Sequence, residues 1–239
     1  MAKTRQLIAA TDPAVARVGK ALPPGYAVQV KLGEAAIAAI REFASSTTGT
    51  VEQLEATTFK SVREKKLQRS LAETLFGARW LYHLGLVTLA TDVQRAAHVR
   101  AQIIDYAAIC EAVLLDALSH GIVYNHLLGT KWKSKFVDGA WKPDAPWSAN
   151  RAKINHTIRK RRNFRWMIEV GAEEKMFKPG LKRELDSLRE SRNAVHIAEL
   201  AAVGAAASID VSKTAYRVML TCVGSIGDWM TMHPNASPS

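Results

Sequence analysis

The sequence predicts an all-α fold, a helical bundle with a helical N-terminal extension and a small β-hairpin or loop insertion. Hydrophobic residues make up 48% of the 239 residues, which is ample for a buried core. Alanine, leucine, arginine and glutamate are abundant and aromatic residues are only 7%. This composition favours helices because unbranched side chains lose little rotamer freedom in them. Apolar residues also recur at helical spacing over long stretches.

The first third of the chain is predicted to be mainly helical. After Pro23–Gly25, apolar and other residues alternate over 26–32, which indicates one short strand. Apolar spacing becomes helical over 34–43, and 45–49 is typical of a turn. A long helical pattern then runs over 51–84.

A second long helix, about 92–120, is expected to be central to the core. Thr91 or Asp92 can cap it, and its apolar stripe is wide. Further along, Asp138-Gly139 stands between Phe136-Val137 and Ala140-Trp141, which is a two-residue β-hairpin signal.

Three more helices are predicted in the C-terminal part. The first runs from a cap at Ser148 to about Phe164, and the second begins at Leu181, after Pro179-Gly180. The last covers about 211–230 and has Asp210 as its cap.

These elements suggest a division of the chain into three parts. Residues 1–90 form an N-terminal helical region with no recognisable motif, and 91–232 form the helical bundle. A basic insertion, 129–147, lies within the bundle, and 233–239 is expected to be a flexible tail.

The charge of the chain indicates a polyanionic partner. Lys and Arg outnumber Asp and Glu by 33 to 22, which gives a net charge of +11. Residues 131–165 alone hold eleven Lys or Arg and only two Asp. The candidate nucleic-acid-binding residues are Lys131, Lys133, Lys135, Arg159, Lys160, Arg161, Arg162 and Arg165. A solvated charged face is the alternative interpretation.

Aromatic residues are interleaved with this positive charge. Phe164 and Trp166 lie beside the arginines and can stack on bases, as in single-strand binders. Trp132, Trp141 and Trp147 can form a stacking platform or can tether the connection to the core, and we expect tethering for at least one of them.

Cysteine and histidine usage favours a reducing compartment without metal chemistry. The two cysteines, Cys110 and Cys222, lie in apolar helical stretches, and no disulfide framework is expected. Asp12-Pro13 interrupts any signal-peptide core, so we expect a cytoplasmic protein with no membrane attachment. The histidines show no zinc-ligand spacing, and neither a metal nor another cofactor is expected.

The strongest motif lies on the penultimate helix. If that helix is continuous, Arg189, Asn193 and His196 fall within about 60° on one face, with Arg192 at its edge. A near-neutral imidazole can remove a proton from a ribose 2′-hydroxyl, and guanidinium groups stabilise charge on the phosphate. Glu111 can anchor Arg189 or Arg192, or can be a solvated helix edge.

This motif resembles that of the HEPN superfamily. The similarity rests on Arg189, on Arg192-Asn193-Ala194-Val195-His196, on the upstream helix 106–118 and on the final amphipathic helix, and it covers about 92–232. It implies a compact helical bundle that forms a homodimer, in which two motif copies line one cleft of a metal-independent ribonuclease. Six residues separate Arg189 from His196 and three separate Arg192 from it, so either arginine can be the active one.

The leading hypothesis is therefore a HEPN-like RNA endoribonuclease, with a role as a toxin or antiphage effector. In it His196 is the general base, Arg189 and Arg192 clamp the phosphate, and Asn193 positions the substrate. RNA, a second copy of the chain and an antitoxin or regulatory protein are the expected partners. A non-catalytic module that binds RNA or protein, and a basic DNA-binding regulator, are the alternatives.

Overall fold

The computed structural model describes residues 33–137, 140–144, 150–161, 163–194 and 208–235, and in them the chain is mostly helical. The prediction of an all-α fold with a small hairpin insertion is confirmed. The α-helices are α1 (Glu34–Thr48), α2 (Val51–Ala56), α3 (Lys65–Val87), α4 (Asp92–Val123), α5 (Arg151–Arg161), α6 (Phe164–Glu173), α7 (Pro179–Ala194) and α8 (Ile209–Met232). A 3-10 turn, Lys131–Lys133, precedes strands β1 (Ser134–Val137) and β2 (Ala140–Pro143).

The chain divides into two compact units, Met1–Phe43 and Ala44–Ser239. The boundary falls within α1. Helices α2 and α3, which the sequence assigned to an N-terminal region, lie in the same unit as α4 and pack in the same hydrophobic core.

Helix α4 is the centre of the second unit, as the sequence predicts. It contacts α3, α5, α6, α7 and α8. Buried residues line more than one side of it, because two stripes at helical spacing are both apolar. The buried side chains include Ile103, Cys110, Leu114, Leu118 on one stripe and Ile109, Val113, Ala117 on another. Each large one contributes roughly 1.5–3 kcal/mol when it leaves water.

One helix of the described residues, Val93–Val123, is long and apolar enough to cross a membrane by length and composition. However, 78% of its most apolar window is buried inside the protein. It therefore has the character of the core helix of a soluble protein.

The N-terminal boundaries differ from the sequence prediction. Helix α1 continues to Thr48, so the turn expected at 45–49 is wrong except at its end, where Gly49 has a φ of +70°. The pattern over 51–84 is divided between α2 and α3. Thr50 caps α2 in a reciprocal capping box with Gln53. The strand predicted at 26–32 lies outside the described residues.

The prediction of a single helix from Ser148 to Phe164 is wrong at its end. Helix α5 ends at Arg161, and a new helix, α6, begins at Phe164. Asn163 is the N-cap of α6, since its side-chain oxygen accepts a 2.9 Å hydrogen bond from the Trp166 backbone N–H. The helical pattern of the sequence does not reveal this cap, because it lies inside a charged segment.

Two helix starts are also earlier than predicted. Helix α7 begins at Pro179 instead of Leu181, because proline fits the first helical turn, where no N–H partner is needed. Helix α8 has Ser208 as its N-cap. Asp210 is therefore not the cap but lies in the first turn, where its charge favours the helix dipole.

The predicted hairpin is confirmed. Strands β1 and β2 pair antiparallel, with Phe136 opposite Trp141 and Val137 opposite Ala140. The turn residues 138 and 139 lie outside the described residues. The indole Nε1–H of Trp166 donates a 2.9 Å hydrogen bond to the Ser134 carbonyl, which fixes β1 against α6.

Candidate nucleic-acid interface

One face of helix α5 is buried, and the opposite face carries positive charge. Ile154 and Ile158 are fully buried, and the Ser119 hydroxyl of α4 donates a hydrogen bond to the Asn155 side chain between them. These three residues of α5 form one stripe at helical spacing. The opposite side of the helix exposes Lys153, Arg159 and Lys160. Helix α5 contains no acidic residue, so nothing within it neutralises this face.

The hairpin adds further cations beside an aromatic pair. Lys135 lies directly opposite Lys142 across the two strands, and like charges in such positions repel. The Arg165 guanidinium lies 4.5 Å from the centre of the Phe136 ring. The Lys133 ammonium lies 5.0 Å from that of Trp132. Cations and the faces of aromatic rings therefore lie side by side at the hairpin.

Few carboxylates compensate these charges. Among the residues that the structure describes, no carboxylate forms an ion pair with Lys133, Lys135, Lys153, Arg159, Lys160 or Arg165. Lys131 differs, since its ammonium is 2.9 Å from a carboxylate oxygen of Glu169. These six cations, which we call the basic surface, remain available to a polyanion.

Two tryptophans of the loop act as tethers. Trp132 and Trp141 are partly buried and pack against the hydrophobic core, which confirms tethering for both. Trp147 and Arg162 lie outside the described residues, as does the side chain of Arg161.

Helix α7 holds two motif arginines against the body of the protein. Leu181, Leu185 and Leu188 are its buried residues. Next to this stripe, Arg192 Nη1 lies 3.0 Å from Glu111 Oε2 of α4. The sequence left Arg189 and Arg192 open as partners of Glu111, and the structure selects Arg192. The Arg192 side chain is still 36% exposed, so part of its guanidinium reaches solvent.

Arg189 is more enclosed and lies between two carboxylates. Its side chain is only 19% exposed. Its Nη2 donates a 3.0 Å hydrogen bond to Glu190, and its Nε lies 3.8 Å from Asp186. Asn193 is exposed on the same helix, whereas His196 lies outside the described residues.

A chain of ion pairs connects the base of the hairpin with the motif helix. It begins with Lys131 and Glu169. Lys182 then lies 2.7 Å from Glu169 and 2.9 Å from Asp186, the residue that also approaches Arg189. Burial opposes ionisation of Glu169, but the ammonium groups of Lys182 and Lys131 outweigh it and lower the pKa of this carboxyl. Hydrogen bonding to Glu169 raises the pKa of Lys182.

The middle of this chain of ion pairs is not evident from the sequence. Glu169 lies on α6, the helix that was overlooked, and nothing local indicates its partners on the 3-10 turn and on α7. The i,i+4 spacing of Lys182 and Asp186 was the available signal.

Within the described residues, no group of three or more His, Cys, Asp or Glu side chains has the arrangement of a metal site. Comparison of the chain with protein-family models, with curated proteins and with solved structures finds no match.

Proposed function

We propose that this protein is a metal-independent RNA endoribonuclease of HEPN type. The basic surface binds the RNA backbone, and the segment from Arg189 to His196 cleaves it. The observation that carries the proposal is the ion-pair chain, because it links the base of the basic hairpin to the helix that bears the motif. In this proposal, an RNA strand bound at the hairpin extends toward Arg189.

The pair between Glu111 and Arg192 supports a phosphate-binding role for this arginine. A guanidinium has five N–H donors, and one carboxylate does not use all of them. The contact holds the side chain in place, and its exposed part can bind a phosphate oxygen. A guanidinium that is already ordered loses less conformational entropy when it binds.

The proposed chemistry assigns one role to each motif residue. His196 takes the proton of a ribose 2′-hydroxyl, and that oxygen attacks the adjacent phosphorus. Arg189 and Arg192 stabilise the negative charge on the phosphate, and Asn193 positions the substrate. The bond to the 5′-oxygen breaks, water donates a proton to this oxygen, and the hydroxide that forms takes the proton held by His196. The products are a 2′,3′-cyclic phosphate and a 5′-hydroxyl.

The test is to incubate the purified protein with a mixed RNA pool in chelator and to map the ends. We expect cyclic phosphate ends with the wild type and a loss of at least a hundredfold in rate with His196→Ala. His83→Ala, which alters a histidine of α3 outside both the basic surface and the motif, is the matched control and should cleave normally. A His196→Ala protein that cuts at the wild-type rate contradicts the mechanism.

A second candidate is a non-catalytic module that binds RNA. The enclosure of Arg189 between Asp186 and Glu190 favours it, because these carboxylates compete with a phosphate for the guanidinium. Under this alternative, charge-removing variants of the basic surface weaken RNA binding while His196→Ala changes nothing. Preference for duplex DNA over RNA of the same sequence contradicts both candidates.

The proposal includes a cytoplasmic site of action, as a toxin or antiphage effector, and a homodimer that brings two motif copies together. An antitoxin or another regulatory protein would then restrain the activity. Light scattering on the purified protein tests the dimer, and a cleavage rate per chain that stays constant on dilution to the monomer contradicts its role.

A further inference from the structure

A cleft of about 320 Å³ lies between the end of α3 and the beginnings of α4 and α8. Its walls are mainly apolar and include Leu81, Val99 and Ile209. Leu86 and Leu89 also line it and are exposed, Leu89 to 81%. An exposed leucine beside an apolar cleft leaves hydrophobic area in water that a bound molecule can cover.

A second hollow of about 280 Å³ adjoins this cleft, since Tyr82 and Ser212 line both. Its walls combine tyrosine rings with cationic side chains. They carry the guanidinium of Arg79, the ammonium of Lys213 and the imidazole of His83. Together the two hollows form one site, which we call the α3 cleft, with an apolar half and a cationic half.

The described charges of the α3 cleft have one sign. Among the described residues, no aspartate or glutamate lines either half, whereas Arg95 adds a third permanent cation. Burial, and after it the positive charge of Arg79, lowers the pKa of His83, which agrees with a local positive potential. Lys213 has a carboxylate near it, Asp210, but at 3.8 Å and with both side chains largely in solvent.

A polar atom in the apolar half has no partner. Among the described residues, nothing hydrogen-bonds to the Nδ1 atom of His98, which is buried and whose ring lines the cleft. This atom faces Gly85 of α3, so the His98 ring forms the wall of the cleft at that point.

We propose that the α3 cleft binds an amphipathic organic anion. The apolar body lies against the leucines and Val99, and the anionic head faces Arg79 and Lys213. None of the described residues of this cleft belongs to the basic surface or to the motif, so the proposal does not depend on RNA cleavage.

The first test is titration with the fluorescent anion 8-anilinonaphthalene-1-sulfonate. Glycines of α3 provide a matched pair of variants. A Cβ at Gly85 would lie 2.9 Å from His98 Nδ1 and would push that ring into the cleft, whereas a Cβ at Gly77 would meet nothing within 4 Å. We expect one saturable site in the wild type and in Gly77→Ala, and at least fivefold weaker binding in Gly85→Ala. Equal binding by Gly85→Ala and Gly77→Ala overturns the proposal.

Lys213→Gln keeps the test decisive if Gly85→Ala does not fold. It removes an exposed cation of the cleft and should lower the affinity for the dye several-fold. Lys160→Gln on α5 should leave this affinity unchanged. If Lys160→Gln lowers the affinity for the dye and Lys213→Gln does not, the dye binds the basic surface and the proposal fails.

Competition identifies the source of the anion. Decanoate has a carboxylate on an aliphatic body, adenosine monophosphate has a phosphate on an aromatic one, and decanol has no charge. We expect one of the two anions to displace the dye at least tenfold better than decanol. Displacement by decanol as strong as by both anions means that the site is merely apolar, and this overturns the proposal.

Discussion

Asp105 lies partly buried on the central helix α4, and burial raises the pKa of its carboxyl. The folded protein therefore binds this proton more tightly than the unfolded chain does. It follows that the stability contributed by protonated Asp105 is complete below the unfolded-state pKa and is lost as the pH rises through the folded-state pKa. At neutral pH the ionised carboxylate opposes folding.

We therefore predict that Asp105→Asn raises the melting temperature at neutral pH. The gain should shrink as the pH falls and disappear in strong acid, where Asp105 is itself neutral. Thermal denaturation followed by circular dichroism across this pH range is the measurement. Asp228→Asn, an exposed position on α8, is the control and should shift the melting temperature little. A gain that is independent of pH rules out this explanation.

Trp166 gives a second prediction at the residue scale. It is buried, and its indole N–H reaches the Ser134 carbonyl, which joins α6 to β1. Trp166→Phe keeps an aromatic ring but removes the donor and some packing, so we expect a loss of about 1–3 kcal/mol in the free energy of unfolding. Urea denaturation measures it. Trp141→Phe, at a less buried ring, should cost less, and the reverse order contradicts the assigned role.

At the scale of elements, the helical glycines have different surroundings. On α4, a Cβ at Gly121 would lie 2.4 Å from Leu127 Cδ2 and 3.2 Å from the Trp229 ring. Leu127 is buried, so it has little room to move. On α3, Gly77 has open space.

Alanine at these two glycines should accordingly have opposite effects. Gly121→Ala should destabilise the protein by about 1–3 kcal/mol through overpacking. Gly77→Ala should stabilise it by roughly 0.5–1 kcal/mol, because alanine loses less backbone entropy in a helix. Chemical denaturation of the two variants in parallel tests this. If both alanine variants are more stable than the wild type, the side chains around the C-terminal end of α4 can repack, which contradicts the expected overpacking.

The ion-pair chain joins the hairpin base, α6 and α7 through Glu169. Because the two lysines lower its pKa, Glu169 contributes stability that is present above its unfolded-state pKa and is lost as the pH falls through the folded-state value. Glu169→Gln should therefore be less stable than the wild type at neutral pH and equal to it in strong acid. Thermal denaturation at the two pH values measures this, and a deficit that persists in acid points to impaired packing instead.

At the scale of the whole molecule, the net charge is +11, and most of it comes from residues 131–165, which hold eleven Lys or Arg and two Asp. Lys153, Arg159 and Lys160 are exposed on α5 without a described carboxylate partner. Binding of single-stranded RNA releases about 0.7 counterions for each phosphate that is neutralised, so affinity should fall steeply with salt.

The variant with glutamine at these three positions should bind RNA more weakly. It should also show a slope of log affinity against log salt that is smaller by about 0.7 for each phosphate that is no longer neutralised, or roughly 2 in total. Fluorescence anisotropy with labelled RNA over a series of salt concentrations measures it. Glutamine at Lys60, Lys66 and Lys178 removes the same charge from exposed positions outside the basic surface. An equal change in that variant means that only net charge matters.

The sequence by itself determined the helical class, the hairpin and the central position of α4, because these depend on local periodicity, turn residues and composition. It also brought Arg189, Arg192, Asn193 and His196 together as a motif, and the role of His196 stays a prediction. It did not determine the break between α5 and α6, where a cap was hidden in a run of charge.

Only the tertiary structure decided which charges are neutralised and which remain available. Glu111 pairs with Arg192 and not Arg189, and Glu169 engages lysines that are 38 and 13 positions away along the chain. The α3 cleft likewise arises where α8, which is distant in sequence, lies beside the junction of α3 and α4. Such contacts depend on how whole helices pack, and pairing between distant residues leaves no periodic trace in the sequence.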